Sequence, residues 1–264
     1  MRVRNFKPEI FWSIKVKQSR ENIDVTFHWD RNRLFDRAMV TILFERCIAT
    51  KKAKITRITQ KPTSKWRPLP LTTVELQKMG SRSLRIDSQA IMNIAEGLYT
   101  GGWISYPRTE TDSFPNDMNL QTLVQKQTQD NRWGQYAQNL VNGGFRNPRR
   151  GTNNDQAHPP IHPVNYRAAG AFQNQNEARV YEFITRHFLA CCSDDAKGSK
   201  SEVQLAWGSE SFHATGLLVL ERNYLDVYPY QNWTSSQQLP NFRQGEEFEP
   251  NEANIVEGQT TAPG

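Results

Sequence analysis

Gly101-Gly102-Trp103-Ile104-Ser105-Tyr106-Pro107-Arg108-Thr109-Glu110-Thr111-Asp112 is the stretch around which the rest of this 264-residue chain can be organised. Its paired glycines stop the helix expected before them. The short apolar run Trp103-Ile104 reads as a strand halted by Pro107, which cannot donate to a ladder. Tyr106 and Arg108 then sit at a strand end, and an extended backbone turns both side chains the same way. A phenol and a guanidinium facing one point is the pairing that phosphoryl transfer to tyrosine needs. The guanidinium can grip a non-bridging phosphate oxygen and stabilise charge that develops in the transition state. It also favours ionisation of a phenol, whose free pKa is about 10. A strand-end tyrosine packed on a surface arginine is the alternative use of the same residues.

Working outward, a helix is expected over Ser88 to Thr100, with Ile91, Ile94, Ala95 and Leu98 on one face. Before it, Thr72-Thr73-Val74-Glu75 fits a capping box that opens a short helix to Met79. Pro62, Pro68 and Pro70 demand extended chain between residues 61 and 70. Earlier still, strands are expected at 11–16 and 23–29, separated by the polar turn 18–22. A helix over 33–49 and a strand over 53–59 follow. Downstream, residues 103–172 read as a long irregular segment rich in Pro, Gly, Asn and Gln, of the kind that is usually functional or disordered. A helix over 176–192 presents Val180, Phe183, Ile184, Phe188 and Cys191 on one side. Strands resume at 202–207 and 211–219, and acidic, turn-rich sequence runs to Gly264. The fold class is α+β and multidomain. A discontinuous β-rich domain (1–71 and 201–264) is interrupted by a mainly α-helical insertion (72–200).

Composition narrows the function. Residues 1–85 hold 20 Lys/Arg against 7 Asp/Glu, while the remainder holds 13 against 20. A basic stretch of this strength suits a polyanion, although scattered lysines also make an ordinary solvated surface. No run of apolar residues is long enough to span a bilayer, and Met1 to Lys7 lacks an apolar signal core, so a soluble, non-secreted protein is expected. Cys47, Cys191 and Cys192 show no metal-binding spacing and are expected as reduced, mostly buried thiols.

The run Trp103 to Thr111 resembles the active-site signature of type IA DNA topoisomerases, and further motifs follow in order. Ser64-Lys65-Trp66-Arg67-Pro68, leading into Leu71 to Leu76, looks like the family's entry into its catalytic-tyrosine domain. Asp155-Gln156-Ala157-His158-Pro159-Pro160-Ile161-His162-Pro163 is similar to its histidine motif. Residues 181–192 and 222–230 look most like the eukaryotic topoisomerase III (alpha-like) branch. The resemblance implies a β arch acting as a gate, with an inserted winged-helix (CAP-like) tyrosine domain.

It also implies that Tyr106 attacks one DNA strand and becomes linked to the 5′ phosphate, releasing a 3′ hydroxyl. The phosphodiester energy is conserved, so resealing needs no ATP. Arg108 would hold the scissile phosphate, and His158 would bind phosphate or assist proton movement. Thr109, Lys65 and Arg67 would contact DNA. His162 is read as structural, because Pro159, Pro160 and Pro163 exclude a helix that would pair it with His158 on a metal.

The family's Mg²⁺ carboxylates belong to an N-terminal domain whose DxDxE string does not occur here, and the family continues beyond Ala262-Pro263-Gly264. The chain therefore reads as a central fragment with Met1 as an added start, inactive without the metal-binding domain. Single-stranded DNA, an OB-fold cofactor and a RecQ-family helicase are the implied partners. The nucleus, with the mitochondrion as a second site, is the implied location. Two other readings stay open: a noncatalytic module binding single-stranded nucleic acid through aromatics such as Trp12, Trp29 and Trp66, and a partner-docking module.

Overall fold

The computed structural model describes residues 6–235 and 237–262, so Met1 and most of the stretch Met1 to Lys7, expected to lack a signal core, lie outside the described residues. The chain forms two compact units: 1–63 with 198–219 and 234–264, and 64–197 with 220–233.

The first unit is built on an antiparallel sheet. Strands β1 (Ile10–Arg20) and β2 (Ile23–Trp29) form a hairpin in register Val16↔Phe27 and Arg20↔Ile23. The turn shrinks to Glu21-Asn22, both at positive φ, because a two-residue hairpin needs that backbone to match the strand twist. The strands therefore run further into residues 18–22 than their polar sequence suggests. Ile14, Val16, Val25, Phe27 and Trp29 alternate inward. Helix α1 (Arg37–Ala49) covers them with Val40, Leu43 and Cys47. It starts later than residue 33 because Leu34 exchanges backbone hydrogen bonds with Trp12 (2.8 and 2.9 Å) and Asp36 caps the Met39 amide.

The remaining strands are β3 (Ala53–Lys65), β4 (Ala196–Trp207), β5 (Glu210–Glu221), β6 (Glu247–Phe248) and β7 (Glu252–Gln259). The sheet order is β6-β3-β4-β5-β2-β1-β7. Residues 252–259, expected as acidic turn, instead pair with β1 from Lys17↔Glu252 to Ile10↔Gln259.

The second unit is helical. Helix α2 (Thr73–Leu84) begins at the expected cap, Thr72 Oγ1 accepting from the Glu75 amide at 3.3 Å. It runs past Met79 because Gly80 lets α2 approach α3 (Ser88–Thr100): a Cβ there would lie 3.0 Å from Ile91 Cδ1. Two short helices, α4 (Leu120–Lys126) and α5 (Gly134–Asn139), interrupt the segment expected to be irregular. They escape periodicity because each is under two turns and rich in Gln and Asn. Helix α6 (Gln175–Cys191) is the spine, burying Val180, Tyr181, Phe183, Ile184, Phe188 and Leu189. The stretch 220–233, expected with the second β-rich part, belongs to this unit, because Tyr224, Leu225, Val227 and Tyr228 are buried in its core. Cys47, Cys191 and Cys192 are free and buried. Among the described residues no helix is long and apolar enough to cross a membrane.

His187 on α6 is buried, with Nε2 2.8 Å from Leu69 O and Nδ1 3.0 Å from the Tyr228 hydroxyl. Burial pushes its pKa down to about 4. In the unfolded chain a histidine titrates near ~6.5, so below that pH the unfolded state binds more protons than the folded one. Stability is therefore full above pH ~6.5 and is lost as pH falls toward ~4, by about 3 kcal/mol when complete. Urea unfolding monitored on the α6 amides should show a lower midpoint at pH 5 than at pH 7.5. The difference should shrink in His187→Gln, and a pH-independent midpoint would contradict the assignment.

Candidate active site

Trp103 to Asp112 does not form a strand: one isolated bridge, Ile104↔Pro163, replaces a ladder. Prolines 107, 159, 160 and 163 remove the amides a ladder would use. Burial nevertheless alternates from Ser105 onward. Ser105, Pro107, Thr109 and Thr111 are buried, whereas Tyr106 is half-buried and Arg108 and Glu110 are exposed. That period of two puts Tyr106, Arg108 and Glu110 on the outer side.

Side chains supplement the few backbone hydrogen bonds that remain between the two segments. Ser105 N donates to His162 O (2.9 Å), His162 N donates to Ser105 Oγ (3.0 Å), and Ser105 Oγ donates to Pro160 O (3.1 Å). Thr109 N donates to Thr73 Oγ1, and the Thr73 hydroxyl lies 2.8 Å from Pro107 O. Asp155 closes the next turn. Its carboxylate accepts from the amides of Ala157 and His158 (both 2.9 Å) and from the Thr109 hydroxyl (2.8 Å). These donors, the His158 amide foremost, hold it well below the usual carboxylate range. Asp155 N in turn donates to Thr111 Oγ1 at 3.0 Å.

The result fixes both sides of Tyr106. Its ring centroid lies 4.4 Å from that of His158 at 35°, and 5.3 Å from that of Tyr99, edge-on at 72°. Arg108 donates from Nε (2.8 Å) and Nη2 to one carboxylate oxygen of Glu96. Glu96 and Tyr99 are i and i+3 on α3, so one helix face meets both residues of the Tyr–Arg pair. An open depression of about 400 Å³ adjoins His158, lined by Thr111, Ser113, Arg150 and Asn154 among others.

His162 faces inward, its Nδ1 2.6 Å from Pro160 O and its ring against Phe114 and Phe188; burial pushes its pKa down. Thr109 is buried and committed to Asp155. Arg67 is paired with Asp195 (3.1 Å) and donates to Asn147 O, and Lys65 Nζ donates to Asn232 O at 2.8 Å. The geometry thus sets His158 against Tyr106, binds Arg108, two residues along the chain, to Glu96, and leaves Lys65 and Arg67 on other partners. Glu96, Tyr99 and Asp155 were not singled out from sequence. Only the i, i+3 spacing of the first two and the Asp-x-x-His spacing of the third carried a signal. Among the described residues no group of three or more His, Cys, Asp or Glu side chains is arranged to hold a metal ion.

A family model described as DNA topoisomerase matches residues 1–264. The chain is 48% identical over 262 residues to DNA topoisomerase 3 of Schizosaccharomyces pombe, covering 99% of this chain and 42% of that protein. It is 49% identical over 261 residues to DNA topoisomerase 3-alpha of Homo sapiens, covering 99% of this chain and 26% of that protein. Full-length topoisomerase I from Thermotoga maritima has the same fold, with a TM-score of 0.73 at 18% identity, covering 100% of this chain and 43% of that one. The chain thus spans less than half the length of these relatives.

If Asp155 orders the loop, Asp155→Ala should speed hydrogen exchange at the Ala157 and His158 amides while leaving β1 and β2 protected. Unchanged exchange at those two amides would remove Asp155 from the scaffold.

Proposed function

This chain belongs to the DNA topoisomerase family, and we propose that it carries the strand-cleaving tyrosine of a type IA enzyme of the topoisomerase III branch. The observation that supports this most is the outward-facing Tyr106, with Arg108 on the same side of the chain and the His158 ring 4.4 Å away.

In the proposed reaction Tyr106 Oη forms a bond to the phosphorus of one DNA strand and the P–O3′ bond breaks. The phenol proton leaves and the 3′ oxygen gains one, so a 5′-phosphotyrosyl link and a 3′ hydroxyl result. Resealing is the same exchange in reverse, because the phenolate is the better leaving group. Arg108 binds the non-bridging oxygens. Donation to Glu96 uses its Nε and Nη2, which leaves Nη1 for phosphate. His158, exposed and without a carboxylate partner among the described residues, binds phosphate or carries the proton. Lys65, Arg67 and Thr109 act less directly: Thr109 holds the loop, Lys65 ends β3, and Arg67 follows it in irregular chain. Mg²⁺ would act from the metal-binding part of the full-length protein. Strand passage, decatenation and Holliday-junction dissolution in the nucleus, with an OB-fold cofactor and a RecQ-family helicase, are the corresponding role of the whole protein.

The test is covalent capture. Full-length protein with Mg²⁺ and a 3′-labelled single strand should yield a labelled protein adduct. Tyr106→Phe should abolish it, and Arg108→Ala should lower the cleavage rate about 100-fold or more, as removal of one preorganised charge-stabilising donor does elsewhere. An adduct that persists in Tyr106→Phe would overturn the assignment.

A further inference from the structure

We propose that Trp66 and Arg149 form a stacking site for an unpaired nucleobase, built from residues other than Tyr106, Arg108 and His158; this rests on the reading of the chain as one that binds single-stranded DNA. Most of the tryptophans are packed against a core, but Trp66 is 66% exposed. An indole left this open costs hydration free energy, so it calls for an occupant or for a reason to be held there.

It is held firmly. The Arg67 amide donates to Asp195 Oδ1 at 3.0 Å, the Arg67 guanidinium pairs with the same carboxylate, and Pro68 follows. Arg149 Nη1 donates to Arg67 O at 2.8 Å, and its guanidinium carbon lies 4.6 Å from the centre of the Trp66 ring. The indole therefore has one face covered by a guanidinium, with much of its surface still open. It is presented on a backbone that does not have to be ordered on binding, which removes part of the usual entropy cost.

The charges beside it identify the ligand. Arg67 and Arg146 are neutralised by Asp195 and Asp194. Arg149 and Lys65 have no carboxylate partner among the described residues; their donors reach backbone carbonyls only. An aromatic plate next to uncompensated cations suits a flat, electron-poor ring joined to an anion, which is a nucleotide with its base unstacked. Bases stack on aromatic side chains in a sequence-tolerant way, and phosphates take the cations. A duplex would not serve, because its bases are already stacked on one another.

The experiment measures binding of the full-length protein in a Tyr106→Phe background, so covalent chemistry does not enter, using an oligo-dT strand and a matched duplex across a salt series. Trp66→Ala should weaken oligo-dT binding about tenfold with the salt slope unchanged, as loss of one stacked base does. Trp66→Phe should restore most of the affinity. Arg149→Ala should weaken binding and reduce the slope by about 0.7, one phosphate contact on a single strand. Far-UV circular dichroism of the variants controls for folding, since Trp66 is exposed. Unchanged oligo-dT affinity in Trp66→Ala, no rescue by phenylalanine, or an equal loss for the duplex would each overturn the site. None of these outcomes touches the adduct assay, so Tyr106 can stand while the stacking site falls, and the reverse.

Discussion

The placement of Tyr106 depends on one constraint: two proline-bearing segments must lie side by side without a backbone ladder. Pro107 on one side and Pro159, Pro160 and Pro163 on the other remove amides that paired strands would use. Unmet backbone groups in a half-buried site are costly, so side chains must supply the partners. Ser105, Thr73, Thr109 and Asp155 do this, and the anionic Asp155 makes the strongest set because its amide donors meet a full charge. The irregular backbone is thus a rigid one. It leaves Tyr106 and Arg108 outward where a regular strand would have fed them into a sheet.

The histidines of this unit divide by the same physics. His162 and His187 are buried, hydrogen-bonded to carbonyls and pushed toward neutrality, which suits structure and not proton transfer near neutral pH. His158 lies in the same motif as His162, yet its ring is exposed and tilted over Tyr106. The intervening prolines account for the split: they hold the chain extended, and His162 inserts between Phe114 and Phe188 while His158 stays outside.

Local chemistry was legible wherever the signal was local. The Thr72 cap, the buried face of α3 at Ile91, Ala95 and Leu98, and the core face of α6 follow from residues within a few positions of each other. The strand β7 was not legible: Ala253 and Ile255 alternate toward the core, but the run is short and set among Glu, Asn and Gln, and its partner β1 lies at the other end of the chain. The Tyr–Arg pair could be read from spacing, but Glu96 and Tyr99 could not be joined to it. Their approach depends on how α3 packs, which no short motif encodes.

Part of the charge asymmetry of the sequence is used inside the fold. In the first unit, cations from the basic N-terminal stretch meet carboxylates from the acidic C-terminal one: Lys17 with Glu252, Arg20 with Glu246, Lys54 with Glu247, and Arg31 with Glu210. Several of these flank the pairing of β1 with β7 and of β3 with β6. Exposed pairs of this kind add little stability each, but a slip by one residue would set like charges or empty positions opposite them. Complementary charge therefore helps specify which distant strands meet. A cation spent this way is a poor measure of affinity for a polyanion. The informative cations are those whose donors end on neutral carbonyls, as at Lys65 and Arg149, because they keep their full charge for an anion arriving from outside.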